Sequence, residues 1–221
     1  MGQTPIYAFP FPELTDPADV PTDMGELATA VEGTLSGPFD SRLDALEAGV
    51  GSMARLADVL LAADAANIDF QNIPQTYAHL LLAGAVRTTA AVLLDSLFMR
   101  INGDAGASYH THGVLGSNNT VSAFSLVAGQ SLSIAGMPGA SAPAGIQGKF
   151  MLWMPGYTRA NGAGWVSVAW ALTGGTAAGF NNMLRGGHWA GSTAVNRLTV
   201  LSTAGQLASG SRVTLYGLRG T

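Results

Sequence analysis

Hydrophobic and polar positions alternate with a period of two through most of the chain after residue 60. In His79–Thr88 the apolar residues Leu80, Leu82 and Val86 fall on one face, and Leu93–Asn102 alternates in the same way. Successive side chains of a strand point to opposite faces of a sheet, so this period predicts β-strands. Further strands are predicted over residues 121–127, 130–135, 147–154, 164–172, 194–201 and 211–218.

Breaks rich in Gly, Ser, Pro and Asn separate these segments, as in Gly136–Gly145 and Gly174–Gly179. Many short strands without a convincing helix between them predict a mainly β fold, an antiparallel, jelly-roll-like β-sandwich over residues 56–221. Two strands, Phe150–Met154 and Trp165–Leu172, are apolar on both faces. Each sheet of a two-layer domain normally exposes one face to solvent. A second apolar face therefore predicts contact with another subunit.

The period changes to that of a helix in residues 23–55. Thr22 or Asp23 can cap a first helix, whose apolar residues recur at spacings of three and four. A second run has the a/d pattern of a coiled coil at Leu43, Leu46, Val50, Met53, Ala57 and Leu60. This pattern predicts a short trimerisation stalk over residues 23–55, with contacts at Leu43, Leu46, Val50 and Met53. The alternative is one amphipathic helix lying on the β-domain.

The boundary between stalk and β-domain is placed between Gly51 and Asp58. Residues 59–61 are apolar and fit the start of a first strand as well as the end of a helix. Gly49 and Gly51 also weaken the helical run, because glycine disfavours a helix interior.

Five prolines are concentrated in residues 1–22, where they exclude a regular helix and favour an extended backbone. Bulky apolar residues lie between them, which a solvated linker would not need. This composition predicts a peptide that docks onto a partner, with a disordered tail as the alternative. The predicted docking residues are Ile6, Tyr7, Phe9, Phe11 and Leu14.

Charge is sparse and unevenly placed. Charged residues make up 11% of the chain, against about 25% in typical soluble domains, which favours an oligomer that covers uncharged surface. Residues 1–69 carry twelve acidic and two basic residues, a net of −10, whereas residues 70–221 carry two acidic and eight basic residues, a net of +6. The basic residues are scattered singly, so nucleic-acid binding is not expected. No apolar run approaches the ~20 residues of a membrane span.

The sequence contains no recognisable catalytic constellation, so no enzymatic activity and no cofactor are predicted. Asp95 and Asp104 are the only acidic residues after residue 69, whereas glycoside hydrolysis usually needs two facing carboxylates. His110 and His112 would share one face of a strand and could chelate a metal across a threefold axis. Two polar histidines without a metal are the preferred interpretation.

Aromatic residues near glycine-rich loops are the candidates for surface-ligand contacts. Trp165 and Trp189 adjoin such loops, and with Arg185 they are predicted to contact a ligand such as a sugar ring, although packing in the core or at a subunit interface is the favoured alternative. Trp170 shares a face with Val166 and Val168, and we interpret that face as core.

Three parts of the chain together carry a resemblance to known proteins. The first is the proline-rich opening with the predicted helix that follows it, the second is a middle part in two pieces, and the third is the C-terminal ending. These parts are Thr4–Pro21 with Leu27–Val31, Ile68–Leu80 with Met99–Tyr109, and Gly210–Leu218. They resemble structural proteins of tailed bacteriophages, particularly fibre-like minor tail proteins and virion decorations of actinobacterial phages.

The resemblance implies a homotrimer in the virion, assembled in the cytoplasm of a bacterial host. It implies attachment to other virion proteins, of tail or capsid, through the N-terminus, and an outward β-domain that can contact the host surface. The alternatives are a capsid fibre or decoration protein with a purely architectural role, and a module that binds cell-surface glycans. No receptor-contacting residue carries over from the resemblance.

Overall fold

The computed structural model of the chain describes residues 2–3, 10–11, 24–33, 53–117, 120–174 and 179–220. The chain divides into two compact units, Met1–Ser52 and Met53–Thr221. In the first unit, strands β1 (Gly2–Gln3) and β2 (Pro10–Phe11) pair antiparallel. A helix, α1, spans residues 24–33 and has its partly buried side chains at Leu27, Ala30 and Val31.

Most of the predicted docking and stalk contacts lie outside the described residues. This applies to Ile6, Tyr7, Phe9 and Leu14 and to Leu43, Leu46 and Val50. Phe11 belongs to β2, but its side chain is not described.

The second unit is built from twelve described strands, all paired antiparallel within two sheets. The strands are β3 (Met53–Leu60), β4 (Asn67–Phe70), β5 (His79–Val86), β6 (Leu94–Ile101), β7 (Tyr109–Ser117), β8 (Thr120–Gly129), β9 (Leu132–Pro138), β10 (Gly148–Pro155), β11 (Ala163–Leu172), β12 (Phe180–Trp189), β13 (Leu198–Ser202) and β14 (Arg212–Leu218). The larger sheet has the order β3-β14-β5-β10-β11-β12-β7-β8, and the smaller sheet has the order β4-β13-β6-β9. The prediction of a mainly β, antiparallel fold is confirmed.

One hydrophobic core takes side chains from both sheets. Strand β9 of the smaller sheet, which is buried along its whole length, contacts β10, β11 and β12 of the larger one. Large and small side chains alternate across the inner face of the larger sheet, because Phe150 lies between Gly84 and Ala169 in register. A Cβ on Gly84 would come within 2.8 Å of the Phe150 ring, so this glycine leaves the space that the ring occupies.

Eight predicted strands are confirmed to within a few residues at each end. Two strands were not predicted from the periodicity, β4 and β12. Strand β3 was considered only as a strand that could begin at residues 59–61, and β7 only as a strand that would hold His110 and His112.

The helical stalk was predicted to include Met53, and this assignment is wrong. Met53 is the first residue of β3, which pairs with β14 from Leu218 back to Arg212. A β-bulge at Leu56 inserts one extra residue into β3. Met53 and Leu60 are exposed, whereas Ala57 is partly buried and pairs with the buried Leu215, so the residues at helical spacing do not share one face of the strand.

Candidate functional site

The candidate site is the outer face of the eight-stranded sheet, the face turned away from the shared core. Its side chains form rows across the strands, because residues paired in register point to the same side. The middle row crosses all eight strands through Asp58, Thr214, Ala83, Met151, Val168, Leu184, Val114 and Ala123. The character of this row changes from charged at one end to apolar at the other.

The apolar half of the outer face is formed by β10, β11, β12 and β7. Its large side chains are exposed to similar extents: Met151 43%, Val166 42%, Val168 43%, Leu184 49% and Val114 45%. Single exposed apolar residues are common on proteins, but a contiguous group on neighbouring strands marks an interaction surface. The predicted second apolar face is therefore present and exposed in the described chain.

Two depressions lie within the apolar half. The larger, of about 490 Å³, lies between Val166, Leu184 and Val114, and the smaller, of about 290 Å³, lies between Met151 and Val166. Gly186 lines the larger depression opposite Val166, and the absence of a side chain there makes the surface concave. Such concavities suit the insertion of apolar side chains from a partner.

The charged half of the outer face is formed by β3, β14 and β5. Asp58 accepts hydrogen bonds from Arg212 Nε at 2.9 Å and Thr214 Oγ1 at 2.8 Å, and Arg212 Nη2 donates to its second oxygen. The hydrogen bonds from Arg212 are the main reason that the pKa of Asp58 lies well below its usual value. Asp58 therefore stays ionised at neutral pH and holds the Arg212 guanidinium in place.

Trp165 and Trp189, which we predicted to contact a surface ligand, are buried in the core, with exposures of 5% and 3%. They lie on the inner face, where the strand period places every second residue of β11 and β12. The ligand-contact prediction is corrected for both residues. Trp189 instead donates from Nε1 to Asp104 Oδ2 at 2.7 Å.

Arg185 is also buried, and the prediction of a surface contact is corrected for it too. Its guanidinium donates to Ser133 Oγ at 2.5 Å and to the Ala135 carbonyl at 3.1 Å. It lies 4.9 Å from the centre of the Phe124 ring, a cation–π distance. Burial lowers the pKa of Arg185 to about 10. These contacts tie the two sheets together and leave the guanidinium little freedom to bind a ligand.

The interpretation of the Trp170 face as core is wrong as well. Trp170 is 37% exposed and lies in the outer row next to Lys149, whereas the inner positions of β11 are Trp165, Ser167, Ala169 and Ala171. Ser167 donates from Oγ to the Ile134 carbonyl of β9 at 2.6 Å. Small inner residues let β9 approach closely, which explains why the larger side chains face outward.

The histidines of β7 lie on the outer face, and His112 lines the larger depression of the apolar half. His110 lies directly opposite His188 of β12, and His112 lies opposite Gly186. Within the parts of the chain that the structure describes, no group of three or more His, Asp or Glu side chains could hold a metal ion.

Asp104 provides a pH-dependent contact in the second unit. Trp189 Nε1, followed by the Gly106 backbone N–H, holds the pKa of Asp104 below its usual value of 3.8. A lowered folded-state pKa gives stability that is present above pH 3.8 and is lost as pH falls through the folded-state pKa. We expect Asp104→Asn to show a smaller fall in thermal midpoint between pH 6 and pH 2.5 than the native chain. Equal falls, measured by circular dichroism, would contradict this role.

No protein-family model, curated protein or solved structure matches the chain. Among the described residues, no helix has the length and apolar character needed to cross a membrane.

Proposed function

We propose that the chain is a non-enzymatic structural component of a virion, a homotrimeric fibre- or spike-like minor tail protein. In this proposal the N-terminal segment anchors the protein to other virion proteins and the second unit forms an outward β-sandwich head. The observation that carries the proposal is the contiguous apolar half of the outer face, which suits burial between identical subunits. The resemblance of the sequence to phage structural proteins supplies the virion context.

Burial of the apolar half would stabilise an assembly appreciably. Each fully buried aliphatic side chain contributes about 1.5–3 kcal/mol relative to an exposed one. Five large side chains exposed by about two-fifths to one-half are therefore enough to add several kcal/mol, before the cost of association is subtracted. The exposed positions of β11 and β12 carry no Asp, Glu, Lys or Arg, and Arg185 of β12 points inward, so these two strands bring no such charge into the interface. Lys149 of β10 lies at the border with the charged half, beside Ala85 of β5.

A charge placed on the apolar half tests this proposal. We expect full-length Val168→Asp to be monomeric by light scattering under conditions in which the native chain is trimeric, because the carboxylate would be buried unpaired in the interface. Val92→Asp is the matched control, since Val92 is also 43% exposed but lies outside the sheets. A native chain that is monomeric, or a Val168→Asp variant that remains trimeric, would contradict the proposed interface.

A purely architectural capsid fibre or decoration protein is the second candidate. It is favoured by the burial of Trp165, Trp189 and Arg185, because this burial removes the surface contacts that we expected for a receptor. Both candidates share the subunit interface and differ in whether the head binds a ligand. A glycan-binding role would need a site elsewhere on the outer face.

A further inference from the structure

A polar depression of about 370 Å³ lies on the charged half of the outer face. Its floor is made by small residues of β5, Ala83, Gly84 and Ala85, and its rim by side chains of β3 and β14. The rim residues are Arg55, Asp58, Arg212, Thr214 and Tyr216. The depression therefore combines a low floor with hydrogen-bonding groups and one aromatic ring.

The bulge in β3 brings Arg55 into this depression. In a regular strand, residues three apart such as Arg55 and Asp58 point to opposite faces. The register of β3 against β14 shifts at Leu56, so that Arg55 pairs with Tyr216 and Asp58 pairs with Thr214 on the same face. Bulges are common beside functional sites, where they redirect a side chain.

The two arginines differ in their bonding. Asp58 holds the Arg212 guanidinium through Nε and Nη2, which leaves Nη1 free to donate to a ligand. Arg55 makes no hydrogen bond or ion pair with another described residue, and its charge acts on Asp58 only over distance. Lys149 adds a third positive charge in the next row, beside Ala85. One carboxylate thus faces three cationic side chains.

We propose that this depression binds the oxyanion of an acidic saccharide, a carboxylate or phosphate group on a sugar. Arg55 and the free edge of Arg212 would donate to the anionic oxygens, the geometry in which guanidinium groups bind carboxylate and phosphate. The Tyr216 ring and the Ala83–Ala85 floor would contact the sugar ring. This proposal assigns a ligand class to the proposed outward-facing head. It rests on the proposed function only for where the saccharide would come from, the host surface.

Protection of a sheet edge explains part of this arrangement, because β3 is an edge strand and charges and bulges discourage edge pairing. Edge protection does not require a concave floor, and it does not require Arg55 to share a face with Arg212. The two roles also predict different behaviour for variants. Loss of protection would increase self-association, whereas loss of a ligand site would weaken anion binding.

Ligand-observed NMR on the full-length chain, with glucuronate, glucose and inorganic phosphate as probes, tests the site. We expect glucuronate to bind and glucose not to bind. We expect Arg55→Ala to weaken glucuronate binding about tenfold, as loss of one charge-assisted hydrogen bond does, and Arg55→Lys to weaken it less. Arg159→Ala, which removes an exposed arginine outside the sheets, is the control and should leave binding unchanged.

The outcomes separate the possible sources of affinity. Phosphate binding as tight as glucuronate binding would assign the affinity to the oxyanion alone, and tighter glucuronate binding would add a contribution from the sugar ring. The proposal is overturned if neither anion binds, or if Arg55→Ala binds glucuronate as well as the native chain while its self-association increases. Light scattering on the same samples tests the trimer independently of the site. A trimer that binds no anion would contradict the anion site but not the proposed trimer. A monomer that binds glucuronate would contradict the proposed trimer but not the anion site.

Discussion

Replacement of Gly187 by alanine is expected to destabilise the second unit by about 3 kcal/mol, the upper part of the usual range for overpacking. Gly187 lies on the inner face of β12, paired with Trp165 on one side and Thr111 on the other. A Cβ there would lie 2.0 Å from the His110 carbonyl oxygen and 3.0 Å from the Trp165 ring. The carbonyl belongs to the backbone of β7, so it cannot move aside without disturbing the pairing of β7 with β12.

The adjacent glycine is the matched control for this prediction. A Cβ on Gly186 would meet its nearest atom at 3.4 Å, an ordinary contact distance, so we expect Gly186→Ala to change stability by less than about 1 kcal/mol. Thermal unfolding at one fixed protein concentration should show a midpoint about 6–12 °C lower for Gly187→Ala than for the native chain. Equal midpoints for the two alanine variants would mean that β7 and β12 are not packed at the described distance.

The second large effect is expected for Phe150→Ala, with a loss of about 4 kcal/mol in the free energy of unfolding. Phe150 is 1% exposed in β10 and is flanked by Gly84 and Ala169, neither of which can fill the space left by the ring. The cavity therefore persists, which places the expected loss in the range for Phe→Ala substitutions in rigid cores.

Lys149→Ala gives the comparison for this position, because Lys149 is the neighbouring residue of β10 and points outward. We expect this change to stay within about 0.5 kcal/mol of the native chain in urea unfolding followed by circular dichroism. A loss below about 2 kcal/mol for Phe150→Ala would show that the core collapses around the missing ring and that the alternation of large and small side chains matters little.

Most strand positions were predictable from the sequence because alternation is a local signal. The sequence did not show which face of β11 points into the core, because Val166, Val168 and Trp170 on the outer face are as apolar as inner residues usually are. What places Ala169 inside is the Phe150 ring beside it and the close approach of β9, and both come from distant parts of the chain. Hydrophobicity alone cannot choose between two apolar faces.

Strand β12 was missed for a related reason, since its inner positions include polar residues. Asn181 donates to Thr173 Oγ1 at 3.2 Å and to the Gly179 carbonyl at 3.0 Å, and Arg185 bonds to β9. These partners satisfy the polar groups in the core, so burial costs less than the sequence pattern suggests. A single sequence gives no sign of such partners.

The charged depression also could not have been found from the sequence. Its rim joins Arg55 and Asp58 to Arg212 and Thr214, and these residues come together only because β14 lies between β3 and β5. The sequence did predict a second apolar face, and the structure confirms it. It pointed to tryptophans for ligand contacts because their chemistry is conspicuous, but large aromatic side chains gain most from burial.

The central place of β14 governs the order in which the domain can form during synthesis. Strands β3 and β5 are made early, yet each has β14 as its neighbour in the sheet, and β14 begins at Arg212, far along the chain from Leu60 and Val86, where β3 and β5 end. In the smaller sheet, β13 likewise lies between β4 and β6. At typical ribosome speeds the chain from β3 to β14 takes about 10–30 s to emerge. During that interval β3 and β5 have no neighbour between them, so the larger sheet can be completed only after β14 has emerged.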